Sequence, residues 1–538
     1  VTVRPIRPTQ HPARARAYVR DGWWRDDTLW DALVATAARQ PDRIMLVEGD
    51  IRLAFRALVE RAETLARALA ALGIAPGDPV AVQLPNWWET VVVLLAIARL
   101  GAVGVPILPI NRRRELAFIL GQTRARALFI PGCYRDCDHR ELAATLRPEL
   151  PALAEVIVVR DDAAPGTRAF GTLPAGSAAI PAPPAGPDDV ALVIYTSGTT
   201  ADPKGVLHSH RTLLAEARSL GPVHDLSARD TVLMPSPLTH ISGIVHALLV
   251  PAALGSRSVL MPRWDPTEAL RLIASERVTY MVGAPTFLRE LARHPGLDAL
   301  DVGSFRLFSC GGADVDPTLV TEAADRLGCV VKRVYGSTEF PTITTTGPDD
   351  PPARRVDSEG RPIGAAEIRL VGDDDAPVST DREGEVLARG PECFLGYLEG
   401  GLNADSFTPD GWFRTGDLAT LDGAGYLRIT GRKKDIIIRK GENISARELE
   451  DLLAAHPSVA EVAVVGVTDA AAGEIACAVV RLRAGQALSL AEVTDHLLAR
   501  GLSKRKLPER LVIADDFPRT ASGKVLKRAL REQLASEG

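Results

Sequence analysis

The sequence predicts an α/β protein, with one large N-terminal domain assembled from α/β subdomains and a smaller α+β domain after it. Three observations carry this. At 538 residues the chain exceeds what one hydrophobic core usually serves. Short β-branched runs alternate with longer amphipathic ones through the N-terminal part, as in parallel strands covered on both faces. Near the C-terminus the period changes, and helices and strands alternate within about a hundred residues, enough for a small domain with its own core.

In chain order, the start "VTVRPIRPTQHPARARAYVR" is rich in arginine and poor in acids, but no apolar stretch follows and serine is missing. It reads as an extended arm rather than a transit peptide. "PVAVQL" is a strand and leads to a helix from Trp88. The most apolar run, "TVVVLLAIARLGAVGVPIL", is broken by Arg99 and glycines and is too short without them to span a bilayer, so it reads as a buried helix entering a strand. "RALFIPG", "LAEVIVVRD" and "DVALVIYT" are further strands. Between the last two, Asp161 to Asp189 is rich in proline, glycine and alanine without a sustained period, and reads as a linker between two subdomains. At the far end "ARELEDLLAAH" and "LAEVTDHLLARG" are helices, and "VAEVAVVGVTD", "EIACAVVRL" and "ERLVIADDF" are strands.

Composition narrows the partners. Hydrophobic residues make up 46% and charged residues 24%, with a net charge of −5, so nucleic acid or an anionic membrane finds no electrostatic support at whole-chain level. Six cysteines in so long a chain make no disulfide framework and point to a reducing, cytoplasmic compartment. "CYRDCDH" offers Cys133, Cys137 and His139, but no second cluster completes a tetrahedral zinc site, and a surface loop is expected.

Chemistry concentrates in "YTSGTTADPKG", Tyr195 to Gly205, directly after an apolar strand. A loop of glycines and hydroxyls presents N–H and O–H donors with little steric cover, and Lys204 adds a positive charge, a combination suited to a polyphosphate. The G-x-x-x-x-G-K-[ST] pattern does not fit it. Downstream, in order, stand "SCGGADV", "VYGSTEF", "GWFRTGDLA", "GRKKDIIIRKGENIS" and "FPRTASGKVLKR". Each alone reads blandly, as a solvated turn, a core tyrosine, a surface ion pair or a basic tail. Together, in this order and spacing, they resemble the adenylate-forming superfamily: acyl-CoA synthetases, peptide-synthetase adenylation domains and beetle luciferases, from about Leu29 to Leu530.

The resemblance implies a large N-terminal domain of stacked α/β subdomains with a β-rich portion, residues 1–432, and a small mobile α+β C-terminal domain, residues 433–538. It implies ATP, magnesium and coenzyme A as ligands, a small carboxylic acid as substrate, and a homodimer as a compatible assembly. Thr196, Ser197, Gly198, Thr199, Thr200 and Lys204 correspond to the loop that grips the β- and γ-phosphates; Ala201 stands where the family usually has glycine. Tyr335 and Gly336 correspond to the adenine-packing segment, Thr338 to a phosphate contact and Glu339 to the magnesium ligand. Gly311, Gly312 and Ala313 correspond to the backbone that approaches adenine, Asp417 to the ribose ligand, and Arg432 to the arginine reaching ribose and phosphate. Lys524 resembles the lysine bridging the carboxylate and the α-phosphate, Lys434 the hinge, and Gly441 the glycine lining the pantetheine tunnel. His240 stands where the family often has a histidine or aromatic beside the carboxylate.

The implied activity is attack of a carboxylate on the α-phosphate to give acyl-AMP and pyrophosphate, then transfer to a thiol. The short stretch after Lys524 leaves no room for a fused carrier domain, so free coenzyme A is the expected acceptor. The alternatives are an acyl-AMP ligase feeding a separate carrier protein, a freestanding amino-acid adenylation enzyme, and a non-catalytic nucleotide-binding protein. Pocket side chains are expected from "PSPLTHISGIVH", "MVGAPTF", "LFSCGG" and "EFPTITTTG", largely apolar or hydroxylic, with Trp264 or Phe287 either closing the pocket floor or packing in the core. "STEFPTITT" is similar to strings in alicyclic-acid ligases, the cyclohexanecarboxylate–CoA ligase type.

Overall fold

The computed structural model describes residues 12–174, 180, 185–196, 203–313, 315–439, 442–469, 473–500, 502, 504–519 and 525–536. They fall into two compact units, Val1–Glu367 with Arg389–Phe413, and Ile368–Ala388 with Arg414–Gly538. Compactness thus divides the chain elsewhere than the expected boundary after Arg432. The reason is pairing: Glu367–Val371 and Gly384–Arg389 lie in one four-stranded sheet with Phe413–Leu421 and Leu427–Arg432.

The first unit is α/β, built on two large sheets. In the nine-stranded sheet, Val330–Tyr335, Leu307–Gly311, Tyr280–Gly283, Thr231–Met234, Arg257–Leu260 and Ile44–Glu48 run parallel, and antiparallel strands close both edges. Alternate residues serve two cores, as a two-residue period requires. Tyr280 and Val282 join one cluster with Leu213 and Ile244, while Met281 joins another with Leu288 and Leu319.

The eight-stranded sheet holds Pro79–Val82, Val103–Pro106, Ala127–Pro131, Glu155–Val159 and Val190–Thr196, with Lys204–Ser209 and Gly396–Tyr397 added antiparallel at one edge. The apolar run is a helix, Trp88–Leu100, buried nearly all round. Gly101 ends it in the left-handed region (φ 74°), and the chain enters the strand Val103–Pro106. Among the described residues, no helix is long and apolar enough to cross a membrane.

Three expectations are corrected. The N-terminal arm is helical from Pro12 to Arg20, because Tyr18 is buried edge-on against Trp24, their rings 5.2 Å apart, and this anchors an amphipathic turn. The segment after Asp161 joins two strands of one sheet rather than two subdomains. "CYRDCDH" is a tight hairpin, with Arg135 and Asp136 at φ 48° and 57°. Its register pairs Cys133 with Asp138 and Tyr134 with Cys137, so the two thiols point to opposite faces, and His139 is buried against Gln83. Among the described residues no cluster of three or more metal-ligating side chains occurs.

The second unit is α+β. Its five-stranded sheet contains Ile436–Arg439, Glu442–Ser445, Val459–Asp469, Gly473–Leu482 and Arg510–Ile513, packed with helices Ala446–Ala454 and Leu490–Ala499 around Leu449, Leu453, Val464 and Leu497. The two helices and the last three strands are those the periodicity predicts; the strands Ile436–Arg439 and Glu442–Ser445 are not among them.

Candidate active site

In the first unit, the glycine- and hydroxyl-rich string is the connection of a β-hairpin. Thr196 ends the strand Val190–Thr196 and pairs with Lys204, which begins the next. Ser197, Gly198, Thr199 and Thr200 lie outside the described residues, as do Gly441, Lys524 and the side chain of Lys434.

Gly311 and Tyr335 leave the C-terminal ends of two adjacent parallel strands, the end at which open α/β sheets bind ligands. Two glycines there are required by their surroundings. A Cβ on Gly311 would lie 2.5 Å from Val334 Cγ1 and 2.6 Å from its carbonyl oxygen, and one on Gly336 would lie 2.0 Å from the carbonyl oxygen of Pro341. The second clash reflects a tight turn in which Ser337 N–H donates to the Phe340 carbonyl (2.9 Å). Gly312 turns the chain at φ 78°, and Ala313 is exposed.

That turn carries Thr338 and Glu339, and the other sheet holds it in place. His208 Nε2 bonds the Thr338 carbonyl (2.8 Å), and Phe394 N–H donates to the Glu339 carbonyl (2.8 Å). Carbonyls only accept, so His208 carries its proton on Nε2; burial pushes its pKa down to about 4. The Glu339 carboxylate accepts from Tyr397 O–H (2.7 Å), and the Lys204 ammonium lies 4.8 Å from the centre of the Tyr397 ring. Burial, then the Glu339 charge, raises the Tyr397 pKa, so its phenol remains a donor. Lys204 and the Glu339 carboxylate are thereby brought together through a residue that sequence reasoning missed. Tyr397 stands 58 residues from Glu339, and only the phenylalanine three residues before it, in "FLGY", marks the segment.

His240 caps the short helix Ile241–Ile244, its Nδ1 taking the Ser242 N–H (3.3 Å) and facing Ser242 Oγ (2.9 Å). An N–H can only donate, so Nδ1 accepts and the ring proton sits on Nε2. Burial lowers its pKa to about 4, leaving the ring neutral. Trp264 and Phe287 pack against each other with centroids 4.4 Å apart and ring planes tilted by 36°, with the indole N–H on Glu290. In the second unit, Asp417 and Arg432 are direct partners in an antiparallel ladder, with Arg432 Nε 2.7 Å from Asp417 Oδ1 and Asp417 almost fully buried.

Parallel-strand ends, a hairpin with a glycine- and hydroxyl-rich connection and a carboxylate joined to it through Tyr397 form a candidate nucleotide site. A family model for the AMP-binding enzyme matches residues 33–398, and one for the AMP-binding enzyme C-terminal domain matches residues 448–524. The chain is 37% identical over 532 residues to a medium-chain fatty-acid–CoA ligase of Escherichia coli strain K12, covering 98% of this chain and 94% of that protein. It is 35% identical to a salicylyl-CoA synthase / salicylate adenylyltransferase of a Streptomyces species, covering 96% of each. An ATP-bound MatB from Rhodopseudomonas palustris superposes with a TM-score of 0.86 at 28% identity, covering 95% of this chain and 100% of that one. The chain belongs to the family of AMP-binding enzymes. It is an adenylate-forming enzyme.

Proposed function

We propose that this ligase acts on a neutral, largely apolar acid, alicyclic, aromatic or short-to-medium aliphatic, with magnesium ATP, in the cytoplasm, and that a homodimer is compatible with it. The observation that carries the substrate reading is the segment Pro237–Gly243. It contains no acid, and its one titratable side chain, His240, is neutral with Nε2–H as donor. Such a donor suits a carboxylate; an α-ammonium placed there would lose its hydration without a partner, at a cost of several kcal/mol. The acids named for the Escherichia coli and Streptomyces relatives likewise lack an ammonium.

In this reading Thr196, Ser197, Gly198, Thr199, Thr200, Thr338 and Lys204 hold the phosphates, and Gly311, Gly312, Ala313, Tyr335 and Gly336 receive adenine. Asp417 takes the ribose hydroxyls, with Arg432 beside it. A carboxylate oxygen attacks the α-phosphorus, the bond from that phosphorus to the pyrophosphate oxygen breaks, and Lys204 steadies the charge that leaves. Lys524 offsets charge between the carboxylate and the α-phosphate. Coenzyme A sulfur then attacks the acyl carbon along a tunnel lined by Gly441, with Lys434 as the hinge between the two steps, and AMP departs.

Glu339 fits a magnesium ion: it is a hard oxygen donor, a carboxylate has several acceptor positions, and the Tyr397 O–H takes one of them. A single carboxylate is typical where phosphates and waters complete the shell. Bound there, the ion would withdraw charge from the phosphoryl oxygens.

The test is pyrophosphate release from cyclohexanecarboxylate, benzoate, hexanoate and palmitate against phenylalanine and leucine, with and without coenzyme A. Amino acids should be at least about a hundredfold worse in kcat/KM. Faster use of either amino acid would overturn the substrate reading, and light scattering reads the assembly.

A further inference from the structure

We infer that Tyr397 is a positioning residue of the ATP site, one that holds Lys204 and Glu339 in place; this rests on the proposed roles of those two residues. The argument begins with what a tyrosine offers. Its O–H is a neutral donor, and its ring face carries the negative end of a quadrupole. Here the O–H meets the Glu339 carboxylate at 2.7 Å, and the ring face meets the Lys204 ammonium at 4.8 Å from its centre, within cation–π range.

One side chain therefore satisfies an anion at its edge and a cation on its face. Tyr397 is itself rigidly held. Its N–H donates to Asn403 Oδ1 (2.8 Å), its carbonyl accepts from Asn403 Nδ2 (3.2 Å), and its backbone pairs with Val206 two residues beyond Lys204. Its ring packs edge-on against Phe394 at 4.9 Å, and Phe394 is the residue whose N–H holds the Glu339 carbonyl. The hairpin, the turn and the tyrosine form one closed circuit, so the ring's position sets the spacing of the two charges.

The experiment is calorimetric titration of ATP into the full chain without acid substrate, with magnesium and with chelator, for wild type, Tyr397→Phe, Tyr397→Leu and Glu339→Gln. Tyr397→Phe removes one oxygen and keeps the ring; it should reduce the magnesium-dependent gain in ATP affinity by about tenfold while leaving magnesium-free affinity near wild type. Tyr397→Leu also removes the ring face, and should weaken magnesium-free binding by about threefold more. Wild-type titrations for Tyr397→Phe in both conditions, or equal loss in both, would overturn the inference while Glu339→Gln still abolishes the magnesium gain. If Glu339→Gln keeps that gain, the metal-ligand reading falls and the inference falls with it.

Discussion

Asp417 and Arg432 face each other across one antiparallel ladder, a placement that neither residue type enforces alone. A carboxylate as buried as Asp417 needs a charged or hydrogen-bonding partner, and the guanidinium at 2.7 Å supplies it. That bond also fixes the carboxylate's orientation, which matters because two vicinal hydroxyls are recognised only by an acceptor pair at a set angle. If Asp417 takes the ribose, Asp417→Asn should weaken ATP binding about tenfold and lower the preference for ATP over 2′-deoxy-ATP toward unity, measured by competitive pyrophosphate exchange. A preference kept at the wild-type level would place the ribose elsewhere.

At the scale of elements, the helix His210–His224 sets Glu216 and Ser219 beside Glu392, close to the segment that carries Glu339. Glu216 and Glu392 are both fully buried; Glu392 Oε1 bonds Ser219, and a Cβ on Gly390 would meet both Phe340 and Glu392. Burial raises Glu392 to about 7, and burial, then the charge of Glu392, raises Glu216 well above the usual carboxylate range. An unfolded glutamate titrates near about 4.3. Between that value and about 7 the folded chain holds more protons than the unfolded one, so this pair's contribution is most favourable at low pH and declines as pH rises through the window. The thermal midpoint, followed by scanning fluorimetry from about pH 5 to about pH 7.5, should therefore carry a downward component of a few degrees that Glu392→Gln removes. An unchanged slope in that variant would mean the carboxyl ionises as freely in the fold as outside it.

For the whole molecule, the proposed chemistry places the two half-reactions on different segments. Lys524→Ala should cut acyl-AMP formation by orders of magnitude while supplied acyl-AMP is still converted to thioester. Gly441→Leu should do the opposite, sparing ATP–pyrophosphate exchange and slowing thioester formation, because a side chain there would obstruct only the thiol. Separate assays of each half-reaction check both. Equal loss of both halves in Lys524→Ala would remove that lysine from its assigned role.

By itself the sequence determined what lies within a few residues of its own signal. The buried helix after Trp88, the two helices and three of the strands near the C-terminus and the strand that leads into "TSGTTADPKG" follow from period and β-branching, all local properties. Six ordered strings also carried the family, because their joint order and spacing is far more specific than any one of them. Tertiary structure alone decided that Tyr397 stands between Lys204 and Glu339, since that contact depends on an edge strand pairing with the strand that begins at Lys204. It decided that Gly311 is confined by Val334, that the two cysteines of the hairpin point apart, and that the proline-rich segment returns to its own sheet. Pairing and close packing arise from the summed burial of distant segments, and no window of sequence contains that sum.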